Sequence, residues 1–119
     1  MKKTSKPGEE QCAVDYAFQR IGGKYKGRIL WHLRSDIKRY GELRRSLKDI
    51  SPKMLTQALR ELEQDELITK TIYLEKPLRV EYQLTETAKE LLPFIKFLKL
   101  WGFKQMVQNN IPVMTGYPQ

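Results

Sequence analysis

Residues 51–64 read Ser51-Pro52-Lys53-Met54-Leu55-Thr56-Gln57-Ala58-Leu59-Arg60-Glu61-Leu62-Glu63-Gln64. The stretch opens with a serine whose hydroxyl can cap free amides, followed by a proline suited to the first helical position. On a helical wheel Leu55, Leu59 and Leu62 fall within about 60° of one another and form a buried stripe. Lys53, Gln57, Arg60 and Gln64 gather on the opposite side, with Thr56 on its edge and Glu61 and Glu63 turned away from the cations. Lysine, arginine and glutamine are side chains that reach phosphates and base edges in a major groove. Taken alone, the pattern fits an ordinary amphipathic helix with a solvated face better than a reading surface. The sequence around it reverses that order.

The position of the charge is the first reason. The 119-residue chain has a net charge of +8. Between Arg20 and Lys53 there are eleven lysines and arginines against three acids, while the remainder holds eleven of each sign. The whole excess therefore lies at and just before the start of the 51–64 helix, as expected of a domain whose partner is a polyanion, nucleic acid before acidic membrane. The length suits one domain with its own core. An apolar fraction of 40% and a charged fraction of 30% suit a folded globular chain. No apolar run approaches a membrane span and the first residues lack the apolar segment of a signal peptide, so a cytoplasmic location and no membrane partner are expected. The single cysteine excludes an internal disulfide.

Residues 1–11 read as a flexible N-terminal arm with Pro7-Gly8 as breakers. Helical spacing follows over Cys12–Ile21 (Val14, Ala17, Phe18, Ile21), is broken by Gly22-Gly23, and resumes over Lys24–Arg34 with Tyr25, Ile29, Leu30 and Leu33 on one face. Ile37–Tyr40 is a short connection able to pair as a small strand. Gly41–Lys48 reads as a third helix with Leu43 and Leu47 inward and Arg45 and Lys48 outward. Asp49-Ile50 then leads into the helix at Pro52, which gives a helix-turn-helix. Leu67–Leu74 alternates as a strand, with Ile68, Ile72 and Leu74 on one face. Residues 75–79 make a turn, and Val80–Leu84 is the returning strand. A hairpin in this place is a wing, with Lys76 and Arg79 at its tip facing the minor groove or the backbone. Thr85 caps a long helix from Glu86 to about Trp101, apolar nearly all round and kinked by Pro93. Such a surface exceeds what one small core covers, which points to a two-fold dimer built on this helix and the first. Its interface would comprise Val14, Phe18, Leu91, Phe94, Ile95, Leu98 and Trp101. Residues 103–119 read as a C-terminal extension.

The fold class is thus mainly α with a small β wing (α+β): a winged helix-turn-helix domain over 12–102 that dimerises through its terminal helices. Residues 12–102 also resemble the HxlR-type winged-helix transcriptional regulators, relatives of the MarR group. The resemblance is carried by Ile21-Gly22-Gly23-Lys24-Tyr25, Ile29-Leu30 with Leu33, YGELRR over 40–45 and ISPKMLTQALRELEQDEL over 50–67. Val80 to Thr85, Pro93 and Trp101-Gly102 complete it. It implies homodimers that bind pseudo-palindromic operator DNA and regulate nearby genes. Two positions depart from the family pattern. Glu66 stands where a glycine is frequent after the fourth helix, at a cost of roughly 1 kcal/mol if the site is left-handed. Tyr25 stands where tryptophan is frequent.

The expected mechanism places Ser51 at the cap, Lys53, Thr56, Gln57 and Arg60 against base edges and phosphates, Arg39, Arg45 and Lys48 on the backbone, and Lys76 and Arg79 in the wing. The resemblance also puts Cys12 at the position of a redox or electrophile sensor, with Lys24, Lys26 or a helix N-terminus as thiolate-favouring neighbours. A buried cysteine at the dimer contact is the plainer alternative. Any small-molecule effector is left unspecified. An enzyme finds little support. His32 reads as structural, Cys/His metal spacing and a glycine-rich phosphate loop after a strand are missing, and neither cofactor nor metal is expected. The remaining alternative is a winged helix that binds RNA or a protein partner without operator recognition.

Overall fold

The computed structural model describes residues 8–114; most of the arm and the last five residues of the extension lie outside the described residues. In chain order the elements are α1 (Ala13–Ile21), α2 (Lys26–His32), β1 (Lys38–Arg39), α3 (Tyr40–Ser46), α4 (Pro52–Gln64), β2 (Ile68–Tyr73), β3 (Arg79–Leu84), α5 (Glu86–Lys89) and α6 (Leu92–Gln108). The three strands form an antiparallel sheet in the order β1-β3-β2, with Lys38 opposite Tyr82 and Ile68 opposite Leu84. The short connection before α3 thus becomes a third strand of the wing. This is the winged helix-turn-helix expected from the sequence, mainly helical with a small sheet.

Local chemistry explains the boundaries. Cys12 is the N-cap of α1. The helix ends at Gly22, where an added Cβ would meet the Phe18 carbonyl oxygen, and Gly23 takes a left-handed φ of 85°. The Ser51 hydroxyl accepts from the Met54 amide at 3.1 Å, and α4 starts at Pro52 and ends at Gln64 as expected. Beyond its end the Leu67 amide donates to the Leu62 carbonyl at 2.9 Å and the Glu66 amide to the Glu63 carbonyl at 3.0 Å. That is a Schellman closure, and it requires the intervening residue to be left-handed. Glu66 obeys with φ 59°, and the Thr85 hydroxyl donates to its carbonyl at 2.9 Å.

The core is one cluster. Leu55, Ala58, Leu59 and Leu62 of α4 meet Ile29, Leu30 and Leu33 of the α2 segment, Leu43 and Leu47 around α3, and Leu67, Ile68, Tyr82 and Leu84 from the wing. His32 is buried beside it.

Three expectations are corrected. The predicted 86–101 helix is two helices: Thr85 caps the four-residue α5, and α6 starts at Leu92 with Pro93 in its first turn, where a missing amide costs nothing. Pro93 therefore starts a helix and does not kink one. α6 then runs to Gln108, through the first part of the predicted extension. Of the strand face expected to carry Ile68, Ile72 and Leu74, Ile68 reaches the core, while Ile72 is half exposed and Leu74, just past β2, is 89% exposed. Ile95, counted with the dimer surface, is 8% exposed and belongs to the protomer's own core.

The cap and the buried histidine each have a measurable effect on stability. Glu66→Gly should stabilise the fold by about 1 kcal/mol in urea unfolding, because glycine takes the left-handed position without a Cβ clash. Burial, followed by the charges of Arg28, Arg34 and Lys38, holds the His32 imidazole below its ordinary 6.5. The folded state then binds fewer protons than the unfolded state below that value, so stability should be full above about pH 6.5 and fall as pH drops through it. Urea midpoints at pH 8 and 5.5 should differ in that direction, and His32→Gln should shrink the difference.

Candidate nucleic-acid interface

The helix-turn-helix is held by ionic clamps between its elements. The Arg28 guanidinium donates to both Asp49 carboxylate oxygens at 2.9 Å, tying α2 to the link before α4. Those hydrogen bonds hold the Asp49 carboxyl below the usual range. Arg44 Nη1 donates to the Ile50 carbonyl at 3.1 Å and fixes the turn itself. Lys26 Nζ lies 2.8 Å from Glu61 Oε1, and Arg20 Nη1 lies 3.5 Å from Asp65 Oδ1, anchoring the middle and end of α4 to α2 and α1. The Glu61 carboxyl is held below its ordinary value, first by a hydrogen bond from Gln57 and then by Lys26. Arg34 lies over the Trp31 ring, 4.4 Å from its centroid, and donates to the Trp31 carbonyl. Several of the cations counted in the basic excess are therefore structural.

Others remain on the surface. Arg39, Arg45 and Lys48 around α3, and Lys53, Thr56, Gln57 and Arg60 on α4, are all exposed. Ser51 is bound as the cap. Glu42 accepts from the Arg39 amide at 2.8 Å, which orders the start of α3. Along α4 the Gln57 amide donates to Glu61 Oε2 at 2.7 Å, and Arg60 Nη1 approaches Gln57 Oε1 at 3.5 Å. Met54, which the sequence did not single out, is also exposed at the edge of this face.

The wing holds its two expected cations differently. Lys76 is exposed at the turn. Arg79 is folded back along the hairpin, 3.3 Å from Glu75 and from Glu81, with its guanidinium carbon 4.0 Å from the Tyr73 ring centroid. These partners hold Arg79 along the hairpin, with its side chain partly exposed.

On another face of the chain α1 and α6 expose apolar residues together. Val14, Phe18, Phe94, Leu98 and Trp101 are exposed as expected, and Leu91 is half-buried against the core. Phe18 and Phe94 meet edge to face at 6.4 Å, joining the two helices. Phe97, Leu100, Phe103 and Val107 on α6 are exposed as well. Beside this face lies a cleft of about 640 Å³ lined by Phe18, Trp31, Ile95, Leu98, Phe103 and Met106 among others. Cys12 is exposed at the start of α1. The lysines expected near its thiol are engaged elsewhere, Lys26 with Glu61 and Lys24 over the Tyr25 ring.

Sequence reasoning missed Arg28, Arg44, Asp49 and Glu61 as the residues that position the site. The one available signal was Asp49, an isolated acid between basic stretches.

The geometry defines a winged helix-turn-helix module with a polar, cation-bearing second helix. Comparison with known proteins agrees. The model of the HxlR-like helix-turn-helix family matches residues 20–110, and the chain belongs to that family of transcriptional regulators, which are not enzymes. It is 38% identical over 116 residues to the HTH-type transcriptional regulator YybR of Bacillus subtilis (strain 168), covering 98% of this chain and 89% of that protein. Among solved structures it is similar to the redox regulator HypR in its reduced form, at 37% identity and a TM-score of 0.77, over 83% of this chain and 99% of that one. The reduced form of the transcriptional regulator YodB from B. subtilis is 32% identical with a TM-score of 0.67, over 77% and 91% of the two chains. Among the described residues no helix is long and apolar enough to cross a membrane.

Proposed function

We propose that the chain is a homodimeric regulator that reads duplex operator DNA in the cytoplasm and represses transcription by occupying the operator. The observation that carries this reading is the division of α4: its four inward residues are buried while Lys53, Thr56, Gln57 and Arg60 are exposed on the opposite side. In the proposed complex α4 lies in the major groove, Arg39, Arg45 and Lys48 hold the backbone, and Lys76 brings the wing to the flanking duplex. Arg79 contributes by bracing the wing. Arg60→Ala should then cost about 1–3 kcal/mol on the preferred duplex and relax specificity at one position. Lys48→Ala should weaken all sequences alike and lower the salt slope by about one. Both are measured by fluorescence anisotropy across a salt series; unchanged duplex affinity in both variants would remove the groove assignment.

The homodimer rests on the exposed apolar surface of α1 and α6, which in water favours a partner. The second copy would cover Phe94, Leu98 and Trp101 and close the neighbouring cleft. Trp101→Glu should yield a monomer by light scattering and lower operator affinity by about 10²-fold or more, since the two half-sites no longer act together.

The exposed Cys12 and the likeness to a protein described as a redox regulator support a thiol-based response. With one cysteine in the chain, oxidation would join two subunits or one subunit to a small thiol. Diamide should reduce operator affinity of the wild type and spare Cys12→Ser; equal loss in both would remove the sensor role.

A further inference from the structure

A hydrogen-bonded relay runs from α2 onto the outer face of α4. Lys26 Nζ meets Glu61 Oε1 at 2.8 Å, and these two side chains are only 13% and 16% exposed. Glu61 Oε2 accepts from Gln57 Nε2 at 2.7 Å, and Gln57 Oε1 faces Arg60 Nη1 at 3.5 Å. The relay therefore starts at a well-covered ion pair and ends on two exposed side chains that carry donors and acceptors.

The chemistry of an amide gives this arrangement a consequence. A glutamine side chain has an acceptor at one end and two donors at the other, and either end can face a given direction if nothing holds it. Used to read a base, it discriminates only when the order of donor and acceptor is fixed, because a flipped amide presents the opposite pattern. Glu61 is a carboxylate and accepts only, so it can bind the nitrogen end of Gln57 and not the oxygen end. Arg60 donates only, so it matches the oxygen end. The two neighbours thus select the same one of the two amide orientations, and Lys26 fixes the carboxylate from the helix behind.

Building on the duplex-reading role above, we propose that Glu61 is a positioning residue for base recognition: it holds the Gln57 amide with its oxygen turned toward Arg60, so that the two side chains read the groove as one unit. The acid sits on a helix meant to approach phosphates, where its charge opposes binding. Its contribution is to discrimination, and its removal should separate specificity from affinity.

The test measures dissociation constants of the full chain for its selected duplex, for single base-pair substitutions of it, and for a scrambled duplex. The variants are Glu61→Ala, Gln57→Ala, their double, and Lys26→Met. Gln57→Ala identifies the position that Gln57 reads. Glu61→Ala should lower discrimination at that position about three- to tenfold while binding the scrambled duplex as well as or better than the wild type, because one negative charge is gone. The double variant should discriminate there no less than Gln57→Ala alone. Lys26→Met should lower discrimination at the same position. A merely structural role for Glu61 would weaken the selected and scrambled duplexes together, and that result overturns the proposal. So does unchanged discrimination in both Glu61→Ala and Lys26→Met. A wild type that discriminates among no duplexes contradicts the DNA-reading role itself, a distinct outcome.

Discussion

The fold depends on burying one face of α4. Leu55, Leu59 and Leu62 are 0–2% exposed and Ala58 is 7% exposed, and together they bring α2, α3 and the base of the wing onto one helix. Each fully buried leucine contributes about 1.5–3 kcal/mol relative to exposure, so this stripe does more than any surface contact to place the helix. Fixing it inward fixes by rotation what points outward. The Ser51 cap and Pro52 set where the helix begins, and the Schellman closure through Glu66 sets where it ends and where β2 begins. The outer face of α4, the turn before it and the wing after it therefore share one register.

The cations divide into two sets with different work. Arg20, Lys26, Arg28 and Arg44 are engaged within the fold, three on carboxylates and one on a carbonyl. They clamp α4 at its entry, middle and exit. Arg39, Arg45, Lys48 and Lys53 stay on the surface beside the same helix. A polar partner would meet the second set, positioned by the first. Exposed ion pairs contribute little to stability by themselves, so the clamps matter chiefly for where the helix sits.

Much of this was legible in the sequence, and the reasons are local. The bounds of α4 follow from a serine, a proline and a leucine period that act within the segment, and the wing follows from alternation around a proline-containing turn. The left-handed Glu66 was visible because the resemblance supplied a glycine there. The misses required tertiary information. Pro93 reads equally as an interior kink or as a first-turn residue, and only the break after α5 decides it. Ile95 and Leu98 look alike on a helical wheel, yet one is covered by the protomer and the other is exposed. The partners of Arg79, namely Glu75, Glu81 and Tyr73, likewise come together only in the folded hairpin. Charge alone does not show that Arg28 and Arg44 are engaged by Asp49 and the Ile50 carbonyl while Arg45 and Lys48 stay exposed.

The central claim is that two copies of α4 read duplex DNA together. Selection of bound molecules from a random duplex pool tests it most directly, since one experiment reports sequence preference, symmetry and spacing. An inverted repeat with half-site centres about 10 base pairs apart, one helical turn of roughly 34 Å, is the predicted result. Recovery of unenriched sequences, or of a single unsymmetrical site bound by one copy, would contradict it.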